Sequence, residues 1–132
     1  MVYYISTRFT DAGIAHLKQM PLAELILCLC SRLTDMALSH LTQCPLTSLD
    51  LSFCRFTNAG MARLEHMPIT KLNLCRCSQL TDMTLSNLKH CPLTHLNLSG
   101  CRFTHTGIAF LAHIPLTELD LGCCELTNAS IF

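Results

Sequence analysis

Hydrophobic residues recur along this chain in one pattern, Pro-Leu-Thr-x-Leu-x-Leu-x-x-Cys, with small variations. Counted from the residue after the proline, positions one, four and six are apolar, while positions three and five are mostly polar. The alternation through Leu49, Asp50 and Leu51 predicts a short strand with one buried face. The pattern starts every 23 or 24 residues, at Pro21, Pro45, Pro68, Pro92 and Pro115.

A second segment of each repeat is predicted to form a short helix. Thr57 is a residue type that favours a helix N-cap, because its side-chain oxygen can accept from a free backbone amide. Met61, Leu64 and Met67 follow at spacings of three, which suits the buried stripe of a helix. Pro68 then ends the helix, because the residue before a proline is disfavoured in helical geometry. The equivalent threonines are Thr34, Thr81, Thr104 and Thr127.

A unit of this size cannot bury its own apolar stripe, so neighbouring units must stack. Strands stack at about 4.8 Å, whereas helices need roughly 8–10 Å between axes. The stack therefore bends, and we expect an α/β solenoid: a horseshoe arc with a concave parallel sheet and convex short helices. The predicted single domain, 1–132, divides into a partial repeat 1–20, repeats 21–44, 45–67, 68–91 and 92–114, and a partial repeat 115–132.

The sequence LxxLxLxxC, followed by LTDxxL, resembles the cysteine-containing subclass of leucine-rich repeats over essentially the whole chain. Such repeats form the substrate-recognition arms of F-box proteins in ubiquitin ligases, and they occur in bacterial and protist proteins. The resemblance implies a protein-interaction scaffold. No F-box-like segment precedes the repeats in this sequence, so a ligase role is not expected. The position-nine cysteines are Cys30, Cys54, Cys77, Cys101 and Cys124.

Both ends of the sequence fall inside a repeat. Val2 and Tyr4 align with the strand leucines, and Thr7 aligns with the position-nine cysteine. Ile131 matches Met61, inside a predicted helix. Neither end has an obvious polar cap, and uncapped solenoid ends expose core. We therefore keep an alternative function open, a structural or self-assembling module (a fragment or an engineered piece) that forms a homo-oligomer through its ends.

Composition narrows the setting and the partners. The 132 residues carry a formal net charge of zero, which argues against a nucleic-acid or membrane partner held by bulk electrostatics. No apolar run reaches the ~18 residues of a membrane span. The start of the chain lacks the pattern of a secretory signal. Ten cysteines at repeat-locked positions, without such a signal, favour the reducing cytosol, so we expect a cytoplasmic protein.

The cysteines and histidines do not assemble a reaction centre in the sequence. Position-nine thiols are predicted to lie inside the turn after each strand as weak donors to backbone, with disulfides along the ladder as the alternative. Cys28 and Cys75 should lie ~10 Å apart, too far for a disulfide, and no metal-ligand spacing is present. His95 is the one histidine expected on the concave face. We predict no enzymatic activity and no cofactor.

Polar columns on the concave face are the best candidate for a binding surface. A rigid, shallow arc of this kind suits a protein or peptide partner rather than an enclosed small molecule. The alternative is that these polar residues only keep an open sheet soluble. The threonines at position two, Thr47, Thr70, Thr94 and Thr117, are predicted to be structural. The predicted contact residues are Glu24, Ser48, Lys71, His95 and Glu118 at position three, Asp50, Asn73, Asn97 and Asp120 at position five, and Phe53 and Arg76 at position eight.

Overall fold

Six short strands form one open, parallel sheet in the computed structural model, which describes residues 2–124. Their order in the sheet is their order in the chain. The register repeats from unit to unit, so that Leu25, Leu49, Leu72, Leu96 and Leu119 are consecutive partners across the sheet. The strands are β1 (Val2–Tyr4), β2 (Glu24–Ile26), β3 (Ser48–Asp50), β4 (Lys71–Asn73), β5 (His95–Asn97) and β6 (Glu118–Asp120).

A short helical segment follows each of the first five strands, as the sequence pattern predicted. Threonines occupy the N-cap positions in extended backbone conformation; Thr127 and Ile131 lie outside the described residues. No helix among residues 2–124 is long and apolar enough to cross a membrane. The helices are α1 (Asp11–Ala15), α2 (Asp35–His40), α3 (Asn58–Met61), α4 (Asp82–Leu88) and α5 (His105–Ala109), with 3-10 turns at Ala62–Leu64 and Phe110–His113.

The core lies between the sheet and the helical layer and is mostly aliphatic, with buried cysteines and the rings of Phe56 and Phe103 among the leucines. Leu46, Leu49 and Leu51 are fully or almost fully buried, as are Met61 and Leu64 of the helical segment. The same positions are buried in the neighbouring units, so one continuous apolar core runs along the stack. This confirms the α/β solenoid with a concave sheet and convex helices.

The position-nine cysteines confirm the prediction of buried thiols that donate to backbone. All but the first donate to the position-six carbonyl of the preceding unit, which joins consecutive turns, whereas Cys30 Sγ lies 3.7 Å from Ser6 O and 3.8 Å from Ile5 O. In four of them the sulfur–oxygen distance is 3.0 Å: Cys54 to Leu27, Cys77 to Leu51, Cys101 to Leu74 and Cys124 to Leu98. All ten cysteines are unbridged.

The register of the first strand differs from the prediction by one residue. Tyr3, not Val2, pairs with Leu25, and Val2 and Tyr4 lie on the exposed face. The predicted alignment requires a loop as long as that of the third unit, but the loop in the first unit is one residue shorter: Ile5 and Thr10 are five positions apart, whereas the equivalent residues in the third unit are six apart. A one-residue slip reverses the face of every side chain in a strand. Thr7 is therefore not in the cysteine position of the strand register.

A second ladder, made of polar side chains, joins the starts of the helices. Asp35 accepts from both the backbone amide of Thr57, at 2.9 Å, and its hydroxyl. Asn58 makes the corresponding pair of contacts to Thr81, at 3.0 and 2.6 Å. The predicted N-cap bond is confirmed at Thr34 and Thr81, whose side chains accept from amides of their own helices. The Thr57 side chain instead bonds to the preceding unit and makes no hydrogen bond within its own helix. The remaining pairs are Asp11 with Thr34 and Asp82 with Thr104.

Candidate functional site

The exposed face of the six-stranded sheet, called the concave face below, forms one open depression of about 530 Å³. Its lining comes from positions three to five of consecutive strands, so equivalent residues stand in straight columns across the sheet. Nine of the eleven predicted contact residues are brought together there: Glu24, Ser48, Asp50, Lys71, Asn73, His95, Asn97, Glu118 and Asp120.

Position-five side chains brace the turn that follows each strand. Asp50 Oδ1 accepts from the backbone amide of Ser52, at 2.9 Å, and from its hydroxyl, at 2.6 Å. Asn97 Oδ1 makes the same two contacts with Ser99, at 2.9 and 2.7 Å. An Asp or Asn side chain that binds the amide two residues on replaces a backbone turn contact. Each of these side chains therefore uses one oxygen atom to stabilise the turn after its strand.

The remaining two position-five residues repeat that contact. Asn73 Oδ1 accepts from the amide of Cys75 at 2.9 Å, and Asp120 Oδ1 accepts from the amide of Gly122 at 2.8 Å. The signal for this role is present in the sequence, as Asp or Asn two residues before the turn, but the prediction treated the column only as a solvated or binding stripe. The second polar atom of each position-five side chain is the one more available to a partner, although Asn73 Nδ2 also lies 3.5 Å from Asp50 Oδ2.

Position-three side chains, in contrast, are almost free of contacts with the fold. Glu24 and Lys71 are exposed. In this column, His95 Nε2 lies 3.4 Å from Glu118 Oε2, a contact that is an ion pair only when the imidazole is protonated. The column therefore presents two carboxylates, an ammonium and an imidazole to solvent in fixed order.

His95 also contacts the hydroxyl of Thr94, at 2.8 Å between Oγ1 and Nδ1. Hydroxyl, imidazole and carboxylate thus follow one another, an order also found in hydrolytic enzymes. Thr94 nevertheless bonds to the carbonyl of Thr70, as the other position-two threonines bond to the preceding unit. This confirms the structural role predicted for the threonines: Thr47, Thr70 and Thr117 make the same contact at 3.1–3.3 Å.

The N-terminal end of the concave face is apolar. Tyr4 is 78% exposed and lies beside Ile26 in the sheet register. Val2 is 44% exposed and pairs with Glu24. Val2 and Tyr4 are absent from the predicted contact residues because the register predicted for the first strand differs by one residue from the observed one. The position-five column of the concave face is therefore apolar on its first two strands, at Tyr4 and Ile26, and polar beyond them, whereas Glu24 places a carboxylate on the second strand.

Phe53 and Arg76 do not lie on the sheet, which corrects their predicted place on the concave face. Their backbones are left-handed, with φ of 60° and 56°, and the same holds for Leu29 and Cys123. This conformation ends the extended run before position eight. Phe53 and Arg76 instead border a separate depression of about 330 Å³, lined also by Ser78, Gly100, Cys101, Arg102 and Cys123.

Reactive chemistry is suppressed in the core of the stack. Burial raises the pKa of the Cys54 and Cys77 thiols to about 12 and that of the Cys91 and Cys101 thiols to about 11. The thiolate is the nucleophile and the metal ligand, so these sulfurs are held in their unreactive form. Among residues 2–124, no three His, Cys, Asp or Glu side chains converge in a way that could hold a metal ion.

Comparisons with known proteins agree with this architecture. The chain is similar in structure to a chain of a solved complex, described as the crystal structure of Rad7 and Elc1 complex in yeast, with a TM-score of 0.71 and 27% identity. The match covers 87% of this chain and 33% of the yeast chain, so this chain spans about a third of that protein's length. No curated protein matches the chain. The family model described as leucine rich repeat matches residues 42–64, 89–112 and 113–131, half of the sequence. The chain belongs to the leucine-rich repeat family.

Proposed function

We propose that this protein is an interaction scaffold that binds a segment of a partner protein across its concave face. The observation that carries the proposal is the contrast between two columns. Position-five residues are used by the fold, whereas Glu24, Lys71 and the other position-three residues are held in register with little internal role. Membership of the family and the similarity to a chain of a protein–protein complex support a protein-binding role.

The shape of the concave face favours a polypeptide partner. The depression is wide and open, whereas small-molecule sites are usually enclosed. Apolar groups at Tyr4 and Ile26 adjoin the polar columns, so a partner could bury an apolar side chain at one end and pair charges with Lys71 and Glu118 further along. Recognition would use side chains rather than strand addition, because the partner would lie on the face of the sheet.

We further propose that the protein acts without catalysis and in a reducing compartment such as the cytoplasm. Thiol hydrogens along the cysteine ladder are each engaged with a carbonyl oxygen, as for Cys54 and Cys77, which supports a reduced state. Nucleic acid and membrane remain outside the proposed partners. Self-association through the outer strands β1 and β6 is the alternative proposal, and light scattering over a range of concentrations tests it.

A paired charge-reversal experiment tests the concave face. The double variant Lys71→Glu/His95→Glu changes position three without touching the residues that brace the turns. The control His16→Glu/Lys18→Glu makes the same replacements at exposed positions outside the sheet. Affinity capture with quantitative mass spectrometry should show proteins that the wild type and the control retain and the concave variant loses. Equal capture by all three forms would reject the concave face as the binding surface.

A further inference from the structure

Five of the six arginines in the chain lie in the loops that join a strand to the following helix. Each of the five described loops contributes one, and all five side chains are exposed. The sixth, Arg63, lies in the helical layer. We call this row the arginine edge, and its members are Arg8, Arg32, Arg55, Arg76 and Arg102.

The charges of the arginine edge are not neutralised by the described part of the chain. Within residues 2–124, the ion pairs join His90 to Glu65 and His95 to Glu118, and none involves an arginine. The carboxylates of Asp11, Asp35 and Asp82 each accept two hydrogen bonds from a threonine of the next unit and form no ion pair with an arginine. Among residues 2–124, the guanidinium groups therefore have no carboxylate partner.

Arg76 and Arg102 converge on the depression of about 330 Å³ described above. Arg76 lies across Gly100, since a Cβ atom at that glycine would come within 2.6 Å of Arg76 Cγ. Gly100 has a φ of 73°, and its position-eight equivalents have φ values between 56° and 63°, yet it is the one that lacks a side chain. The missing side chain makes room for Arg76 between two units. Ser78 and the ring of Phe53 complete the lining.

The neutral net charge of the chain conceals a separation of charge. The concave face carries the carboxylates Glu24, Asp50, Glu118 and Asp120 against Lys71 as its fixed cation. A phosphate backbone is negative along its whole length, so one that extended from the arginine edge onto the concave face would be repelled by these carboxylates. A polypeptide partner can place acidic side chains against the arginine edge and neutral or basic side chains against the concave face. The charge pattern therefore favours an acidic polypeptide over a nucleic acid.

We propose that the arginine edge, centred on Arg76 and Arg102, binds carboxylate side chains of an acidic segment in a partner protein. Guanidinium groups match carboxylates with two parallel hydrogen bonds, which gives direction as well as attraction. Phe53 offers an apolar surface for the aliphatic part of a glutamate. The inference rests on the proposed function only in taking the partner to be a protein, and it assigns a second surface outside the concave face.

Fluorescence anisotropy with a labelled hexaglutamate peptide tests this site. At about 0.15 M salt, exposed pairs are screened, so binding that survives reports a defined site rather than bulk attraction. We expect Arg76→Gln/Arg102→Gln to weaken peptide binding at least tenfold. The control Arg63→Gln/Lys18→Gln removes the same two charges elsewhere and should change it less than twofold. All substituted side chains are exposed, so the thermal midpoints should match.

Three results would overturn the proposal. They are no peptide binding by the wild type, an equal loss in the control, or tighter binding of a hexanucleotide than of the peptide. The peptide titration reports on the loops alone, whereas capture with Lys71→Glu/His95→Glu reports on the concave face. Either claim can therefore fail without the other.

Discussion

The carboxylate of Asp35 holds both the backbone amide and the hydroxyl of Thr57, the residue that begins the helix of the next unit. One side chain thus fixes the start of a helix that its own unit does not contain. Because the contact recurs along the stack, the convex layer is joined by polar contacts at one end of each helix and by apolar packing along its length. The stability of neighbouring units is therefore coupled.

Replacing Asp35 with alanine should lower the free energy of unfolding by about 1–2 kcal/mol, because two hydrogen bonds to a charged acceptor are lost at a partly exposed site. Asp35→Asn should cost less, since Asn58 makes equivalent contacts in the next unit. Urea unfolding followed by circular dichroism measures both values. An alanine variant as stable as the wild type would show that the ladder does not stabilise the fold.

Gly60 leaves space for the Asp35 carboxylate, since a Cβ atom at Gly60 would lie 2.6 Å from Asp35 Cγ. We expect Gly60→Ala alone to destabilise the protein by about 1–3 kcal/mol, the usual cost of overpacking. In the Asp35→Ala background the same substitution should cost less, because the carboxylate is gone, although the Cβ atom of residue 35 still lies 2.9 Å from the added methyl group. A double-mutant cycle measures the coupling. Equal effects in both backgrounds would refute the steric explanation.

At position eight, four residues other than glycine have a left-handed backbone, a conformation that is strained for residues with a side chain. Leu29 has a φ of 63° and a half-exposed side chain, so little packing depends on it. Glycine tolerates this conformation, whereas alanine does not. Leu29→Gly should therefore be more stable than Leu29→Ala by roughly 0.5–1 kcal/mol. Thermal melts of the two variants, which differ by a single methyl group, measure this difference. A higher melting temperature for Leu29→Ala than for Leu29→Gly would contradict the left-handed turn.

Alkaline pH should unfold the protein through its buried thiols. The pKa of Cys54 and Cys77 is raised to about 12 by burial, against about 8.5 in an unfolded chain. Their contribution to stability is complete below pH ~8.5 and is lost as the pH rises toward 12, because the unfolded state releases the proton first. Between these two pKa values, each such thiol lowers the free energy of unfolding by roughly 1 kcal/mol per pH unit.

The control for this effect is the Cys54→Ser/Cys77→Ser variant, whose hydroxyls can still donate to Leu27 and Leu51. Its free energy of unfolding should fall less steeply between pH 9 and 11 than that of the wild type, when both are measured under reducing conditions. Parallel curves would show that these thiols do not control the alkaline transition.

The sequence pattern was sufficient for the features that repeat. Leu49 and Leu51 face the core and Cys54 donates to backbone as predicted, because each unit must present the same groups to its neighbours. Features that depend on the length of a loop or on the sign of a backbone φ angle were not predicted. The shorter first loop moved Tyr4 to the exposed face, and the left-handed turn placed Phe53 outside the sheet. The spacing of the leucines determines neither the length of a loop nor the handedness of a turn.

The brace at Asp50 was missed for another reason. An acidic residue in a polar column has the same sequence signature whether it binds a partner, binds water or binds its own backbone. Only the 2.9 Å contact from the Ser52 amide separates these roles. The candidate site is therefore narrower than the predicted one and centres on position three.

Site-specific photo-crosslinking tests the central claim, binding through the concave face, most directly. A photoreactive residue placed at Lys71 lies in the middle of the concave face, and the same residue at Lys18 lies outside it. After irradiation in the cells that make the protein, we predict a discrete heavier adduct containing one partner protein from position 71 and none from position 18. An adduct from position 18 alone, or the same adduct from both positions, would contradict the claim.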